Sequence, residues 1–284
     1  MTLHAGIRMM GISPTTAADI RLVAIDLDGT LLDDRKQVSA RALESVAGLP
    51  ARGIKVVIAS ARPPRSVRPI YAQLKLNTLQ INYNGALIWD QPNLRNIFHR
   101  PLPGPVVRQI IDHARRMFPR VLVSCELLDR WFTDGVDPNH TTETGRLFSP
   151  DVTAPIEQFR DVSMTKVLLL GPTAMMKELE LSLGMALEND ISIVRTDGDL
   201  IQIMDRRVGK APALEMVARH YGIQAHQILA IGDAPNDLGM LKMAGIAVAM
   251  DNAHEAVKKI AHWVAPSNND HGVHAALVHY GLCE

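Results

Sequence analysis

Residues 21–30 read RLVAIDLDGT, and the fold turns on how this stretch is read. LVAI is a short apolar run that meets Asp28-Gly29-Thr30, a turn signal, almost at once. A strand with no apolar–polar alternation is buried on both faces, as happens in a parallel sheet covered by helices. The same phrasing returns at ILAIGDAPND, residues 228–237. Further apolar runs lie at IKVVIAS (54–60), LQINYNG (79–85), GIAVAM (245–250) and WVAP (263–266). Helical stretches alternate with them at 39–51, from Pro63-Pro64 to about Lys75, at 211–221 and from Asn236 onward. This alternation predicts an α/β protein with a Rossmann-like parallel-sheet core.

The middle, roughly 86–200, is different. Prolines break it at 101–105, 138 and 150, its strands (VLVSCE, RWFTD, KVLLLG) are more mixed, and helices read as fewer. It is expected to be an inserted domain. The division is a 1–20 extension, a core from 21–86 and 200–284, and an insertion over 87–199.

The 284 residues carry 30 Lys+Arg against 30 Asp+Glu, with 47% hydrophobic and 21% charged residues. That balance excludes a disordered chain and a nucleic-acid binder relying on bulk positive charge. Only two cysteines occur, Cys125 and Cys283, so neither a disulfide framework nor a cysteine zinc site is supported, and a cytoplasmic location fits. Arg8, Gly11, Ser13 and Pro14 interrupt the first twenty residues, which do not read as a signal peptide. Met9 and Met10 are alternative starts. No apolar run is long enough for a membrane span. A monomer and a homodimer both remain open.

The chemistry-bearing residues gather after the apolar strands, where open α/β sheets bind ligands. Asp26 and Asp28 are paired carboxylates that can bind Mg²⁺, and one of them can attack an electrophile. Alone, the pentapeptide is also what an Asp-Gly turn looks like. Asp233, Asn236 and Asp237 form a second polar cluster, which equally suits a helix cap. Ser60 ends the second strand; its hydroxyl can serve a phosphate or simply a turn. Lys210 precedes a helix in VGKAPAL, and the phosphate-loop pattern GxxxxGK[ST] is absent.

In this order, DLDGT, Ser60, Lys210 and GDAPND resemble the four motifs of the haloacid-dehalogenase-like phosphatases. The flanks LDLDGTLL, Asn84-Gly85-Ala86, LIQIMDRRVGKAPAL and SNNDHGVHAAL narrow the resemblance to the Cof-like branch with a class IIB α/β cap. It covers about 20–284, strongly in the core and weakly in the cap. The resemblance implies a Mg²⁺-dependent phosphatase with Asp26 as nucleophile, forming an aspartyl-phosphate, and Asp28 as general acid and then base. It implies metal held by Asp26, the Asp28 carbonyl and Asp233, with Asp237 in support. Lys210, Ser60, Ala61, Arg62, Asn84, Gly85 and Asn236 would surround the phosphate. Two departures stand out: Ser60-Ala61-Arg62 replaces the usual Thr-Gly-Arg, and Lys210-Ala211 the usual Lys-Gly. Ser60 keeps the hydroxyl, while Ala61 and Ala211 add methyl groups expected to tighten the local turns.

The implied substrate is a small phosphorylated metabolite of the sugar phosphate, pyridoxal phosphate or flavin mononucleotide class. A phosphotransferase or phosphomutase on the same core, or a catalytically silent metabolite-binding regulator, are the alternatives. Within the cap, Glu126, Asp129, Arg130, Trp131 and His140 are polar or aromatic candidates, each also readable as surface or packing. Arg62, Arg65 and Arg68 recur every three residues and read as a solvated helix face. His271 and His274 read as sharing a helix face, without the context of a zinc site.

Overall fold

The computed structural model describes residues 19–284, without the side chains at 196 and 197. Of the expected extension over 1–20, residues 1–18 lie outside the described residues. The chain opens with β1 (Leu22–Ile25), α1 (Ala40–Gly48), β2 (Lys55–Ile58) and α2 (Pro64–Gln73). An antiparallel meander follows: β3 (Leu79–Asn82), β4 (Leu87–Asp90) and β5 (Arg95–His99). Next come α3 (Gly104–Met117), β6 (Leu122–Leu127), β7 (Arg130–Thr133), α4 (Glu143–Leu147), β8 (Val152–Thr153), β9 (Lys166–Leu170), α5 (Thr173–Ala186), β10 (Ile191–Asp197) and β11 (Leu200–Asp205). The chain closes with α6 (Lys210–His220), β12 (Ile228–Gly232), α7 (Leu238–Met243), β13 (Ile246–Met250), α8 (Glu255–Lys258), β14 (Trp263–Ala265) and α9 (Gly272–His279).

The fold is α/β. Its central sheet is parallel, in the order β14-β13-β12-β1-β2, and a parallel bridge from Ala59 to Ile81 continues it to β3. All four residues of β1 and all five of β12 and β13 are buried. This is why these strands read as unbroken apolar runs: helices cover both faces, so neither parity of side chain meets water.

The second sheet has the order β10-β11-β9-β6-β7-β8. Here the strands alternate. Val123, Cys125, Val167, Leu169, Ile201 and Ile203 enter one core with α3 and α5, while Ser124, Glu126, Lys166, Leu168 and Gln202 face the other way, toward the central sheet. The middle is richer in helix than its sequence suggested. Helices α3 and α5 have fourteen residues each. Val107, Ile110, Ile111 and Ala114 make a regular apolar stripe, but Arg108, Gln109, Asp112 and His113 between them mask it. By strand pairing, residues 87–99 belong with β3 and 200–205 with β9, so the chain changes sheets near 100 and again near 206.

Candidate active site

The carboxyl end of the central sheet is assembled from segments far apart in the chain. Asp26 follows β1 directly, and its N–H donates to the Ile231 carbonyl at 3.1 Å, tying it to β12. Lys210 is the first residue of α6 and is 2% exposed. Its Nζ donates to Asp26 Oδ1 at 2.5 Å and to Asp237 Oδ1 at 2.6 Å. Asp237 is fully buried, and its Oδ2 accepts the N–H groups of Asp233 (3.1 Å) and Ala234 (3.0 Å). Asp233 Oδ1 accepts from Thr30 Oγ1 at 2.7 Å.

Two glycines make this packing possible. A Cβ on Gly29, whose φ is +83°, would lie 2.5 Å from Asp233 Oδ2, and one on Gly232 would lie 2.7 Å from Asp237 Cβ. Both distances are too short for any larger residue, so glycine is needed for the close approach of the carboxylates.

The electrostatics follow from burial. Burial lifts the Asp26 carboxyl well above the usual range; Lys210 opposes, while Asp237 and Asp233 add to the lift. Asp233 is likewise raised, first by burial. Burial alone would favour neutral Lys210, but Asp237 and Asp26 outweigh it and hold the ammonium charged. Carboxylate oxygens of Asp26, Asp233 and Asp237 lie within 4.8 Å of one another. Three carboxylates around one ammonium leave an excess of negative charge on hard oxygen donors, which fits a Mg²⁺ ion.

Asp28 is in a different setting. Arg62 grips it with both arms of its fork, Nε to Oδ2 at 2.7 Å and Nη2 to Oδ1 at 2.5 Å, and Lys36 adds a third contact at 2.9 Å. Burial pushes the Asp28 carboxyl up, but the two cations outweigh it and hold it below the usual range. Neither contact was anticipated. Lys36 carries no motif, and the spacing of Arg62, Arg65 and Arg68 read as a solvated face. Instead Arg65 binds Asp129 through its N–H (2.7 Å) and Asp151 through Nη2 (2.7 Å), and Arg68 reaches Asp129 at 3.0 Å. Arg65 and Arg68 thus form an ionic seam joining α2 to the second sheet.

Ser60 is 1% exposed, and its Oγ accepts the Arg62 N–H at 3.1 Å. Asn84 adopts φ +53° in the turn after β3, and its Oδ1 accepts from Asn236 Nδ2 at 2.9 Å. Gly85 (φ +100°) presses that turn onto the entry to α6; a Cβ there would lie 2.2 Å from the Gly209 carbonyl. Ala61 and Ala211 have no left-handed backbone. Ala211 stands opposite Gly239, where a Cβ would come within 3.1 Å of the Ala211 methyl. The extra carbon at 211 is therefore met by a missing one on α7. His271 lies just before α9 at φ +61°, and His274 Nδ1 bonds Ser45 Oγ at 2.6 Å, so the two do not share a helix face as expected.

Asp26, Asp28, Ser60, Ala61, Arg62, Asp233 and Asn236 all line one cavity of about 740 Å³. Its far wall is the second sheet: Glu126, Lys166, Leu168, Leu200 and Gln202. Lys166 Nζ pairs with Glu126 Oε1 at 3.2 Å and donates to Gln202 Oε1 at 3.2 Å. Tyr83 Oη donates to Glu126 Oε2 at 2.7 Å, with the Leu128 carbonyl at 2.6 Å. No helix among the described residues is long and apolar enough to cross a membrane.

A family model for haloacid dehalogenase-like hydrolases matches residues 23–277. The chain is 31% identical over 268 residues to the 5-amino-6-(5-phospho-D-ribitylamino)uracil phosphatase YitU of Bacillus subtilis (strain 168), covering 91% of this chain and 97% of that one. It is 26% identical over 242 residues to the HMP-PP phosphatase of Serratia proteamaculans (strain 568), covering 84% and 87%. Among solved structures, a haloacid dehalogenase-like hydrolase from Bacteroides thetaiotaomicron matches with a TM-score of 0.84 at 26% identity, covering 92% of this chain and 99% of that one.

Proposed function

The chain belongs to the haloacid dehalogenase-like hydrolase family, and we propose that within it the chain is a Mg²⁺-dependent phosphatase of small phosphorylated metabolites, acting through an aspartyl-phosphate on Asp26. The observation that carries this reading is the buried Lys210 clamped between Asp26 and Asp237, with Asp233 beside them. The phosphatase names of the two relatives support the reaction class.

In this reading Asp26 Oδ attacks phosphorus and the ester oxygen leaves. A carboxylate and a phosphate repel each other, and Lys210 offsets that repulsion at short range. Mg²⁺, held by Asp26 and Asp233 and the Asp28 carbonyl, supplies further charge neutralisation of the phosphoryl oxygens when bound. Asp237 spends both oxygens on Lys210 and on two backbone N–H groups, so it positions Lys210 and the 233–234 turn. Ser60 and Asn236 are the neutral donors at the phosphate, with Ala61, Asn84 and Gly85 shaping its pocket.

Asp28 has two tasks. Its ionised, Arg62-bound form suits the base that activates water against the aspartyl-phosphate. As acid toward the leaving oxygen it must carry a proton, so the reading requires Arg62 to move from Asp28 to the arriving phosphate. The unit on the six-stranded sheet, about 100–206, acts as the cap over this chemistry. We place the protein in the cytoplasm, consistent with free Cys125 and Cys283.

Phosphate release from a panel of phosphate esters in Mg²⁺ buffer tests the proposal. Release into water is expected. No release from any ester, or phosphate recovered only on a second alcohol, overturns it.

A further inference from the structure

Resting on the phosphatase reading, we infer that Tyr83 is a positioning residue for the phosphate: its hydroxyl, gripped by the inserted unit, holds the left-handed turn that sets Asn84 against Asn236. Tyr83 is fully buried, and its φ of +51° is followed by +53° at Asn84 and +100° at Gly85. Left-handed backbone disfavours residues with a Cβ, bulky ones above all. Two consecutive non-glycine residues adopt it here, so contacts from outside the turn must hold them there.

Those contacts come from the inserted unit. A phenol has one proton to give, and two oxygens compete for it: Glu126 Oε2 at 2.7 Å and the Leu128 carbonyl at 2.6 Å. Leu128 is itself left-handed, at φ +56°. It opens the two-residue turn between β6 and β7, across which Leu127 pairs with Arg130; tight hairpins prefer glycine or asparagine at such a position. Its N–H donates to Thr165 Oγ1 at 2.8 Å. Leu128 also packs against the apolar cluster of Tyr83, Ala86, Leu87 and Met204. Two strained turns, one from each unit, are thus joined through one hydroxyl.

On its other side the turn reaches the groups that surround the phosphate. The Tyr83 N–H donates to the Arg62 carbonyl at 3.3 Å, and the Asn84 N–H to the Ser60 carbonyl at 3.0 Å. Asn84 Oδ1 takes one N–H of the Asn236 amide, which leaves the second for a phosphoryl oxygen. Asn84 Nδ2 is buried without a partner among the described residues. The Asn84 amide is therefore oriented by Asn236 and by the backbone that presents it. Asn236 lines the catalytic cavity and Tyr83 does not, so Tyr83 acts on the phosphate through this turn.

Tyr83→Phe keeps the buried ring and removes one oxygen. Binding of inorganic phosphate in Mg²⁺ and hydrolysis of p-nitrophenyl phosphate are measured for the unmutated protein and for this variant. Both are repeated in an Asn84→Gly background, which tolerates the left-handed backbone. Tyr83→Phe is expected to weaken phosphate binding and to lower kcat, each about tenfold, the scale of one hydrogen bond to a charged acceptor. With Asn84→Gly in place the same change should alter both by less than about threefold, because residues that act through one another are not additive. A strut that only steadies the inserted unit would raise KM and leave phosphate affinity and kcat alone. That result, or an effect that survives Asn84→Gly in full, overturns the inference. If the unmutated protein binds phosphate but hydrolyses no ester, the phosphatase reading falls and the phosphate affinities still decide the role of Tyr83. Hydrolysis with phosphate affinity and kcat unchanged by Tyr83→Phe would do the reverse. An unmutated protein that neither binds phosphate nor hydrolyses the ester would overturn both.

Discussion

The catalytic end of the central sheet and the cavity-facing side of the six-stranded sheet both bury a lysine, but with opposite charge balance. Lys210 stands against Asp26 and Asp237, with Asp233 close by. Lys166 has Glu126 as its ion-pair partner and is otherwise surrounded by neutral groups: Gln202, the Ala61 carbonyl and the Tyr83 ring at 5.0 Å. One region stores surplus negative charge on oxygen donors, suited to a metal and a phosphoryl group. The other is balanced and then grades into hydrocarbon, suited to an organic group. In the proposed reading chemistry and recognition therefore fall to different sheets by charge balance, not by the presence of charge.

The largest expected effect breaks the first side of this contrast. Asp26→Asn removes the nucleophile and should lower turnover by at least about 10⁴-fold, as loss of a covalent nucleophile does elsewhere. Phosphate release reads this, with mass spectrometry to exclude deamidation back to Asp. Full turnover by the intact variant would remove Asp26 from its role. Metal removal comes next: EDTA should take activity to background, and Mg²⁺ should restore it. Undiminished turnover in chelator would mean that the carboxylate surplus serves something other than a cation.

Lys210→Met sharpens the contrast through two readouts. It should lower kcat by about 10²–10³, the scale of removing one group that stabilises transition-state charge. Removing one partner of a buried pair leaves a buried charge unbalanced, so unfolding in urea should show a loss of about 3 kcal/mol or more. Lys166→Met should act differently, raising KM for the physiological class of ester about tenfold, since each 1.4 kcal/mol of lost ground-state contact is worth a factor of ten. If instead kcat collapsed as for Lys210→Met, the division of labour between the sheets would fail.

How far the sequence could be read follows the same line. β1 and β12 were legible because a both-faces-buried strand leaves an unbroken apolar run, and Asp26, Asp28, Asp233 and Asp237 were legible because each sits at the end of such a run. Ser60 and Lys210 gained meaning only from their order along the chain. The far wall of the cavity was not legible. Glu126, Lys166 and Gln202 lie within three separate strands, and only strand register brings them to one wall. Glu126 was considered as a candidate; nothing local marks Lys166 or Gln202. Helix α3 was missed because its charged exposed side dilutes the apolar stripe. Lys36 and Arg62 were not seen as partners of Asp28 because pairing across a turn and between strand ends carries no fixed spacing.

The smallest expected effect concerns the seam between the two regions. Arg65 has a side chain only 12% exposed, yet it joins α2 to Asp129, just before β7, and to Asp151, just before β8. Burial lifts the Asp129 carboxyl above the usual range despite Arg65 and Arg68, so the seam is partly desolvated. Exposed ion pairs contribute about 0.2–1 kcal/mol each, so loss of the shorter pair, Arg65 Nη2 to Asp151 Oδ2 at 2.7 Å, predicts a change of no more than about fivefold. Arg65→Gln removes the charge, keeps an amide N–H donor on a shorter side chain and leaves the backbone N–H bond to Asp129 in place, so it tests the side-chain ion pairs. If the seam holds the recognition face over the catalytic end, the loss should appear in KM for a metabolite ester, with kcat nearly constant and with weaker dependence on added salt than in the unmutated protein. Salt weakens the seam in the parent through screening, and the variant has no such charge left to screen at position 65. A variant whose kcat fell while KM and salt dependence stayed put would place Arg65 in the chemistry of the Arg62–Asp28 pair three residues away, and the two regions would then be less separable than their charge balance indicates.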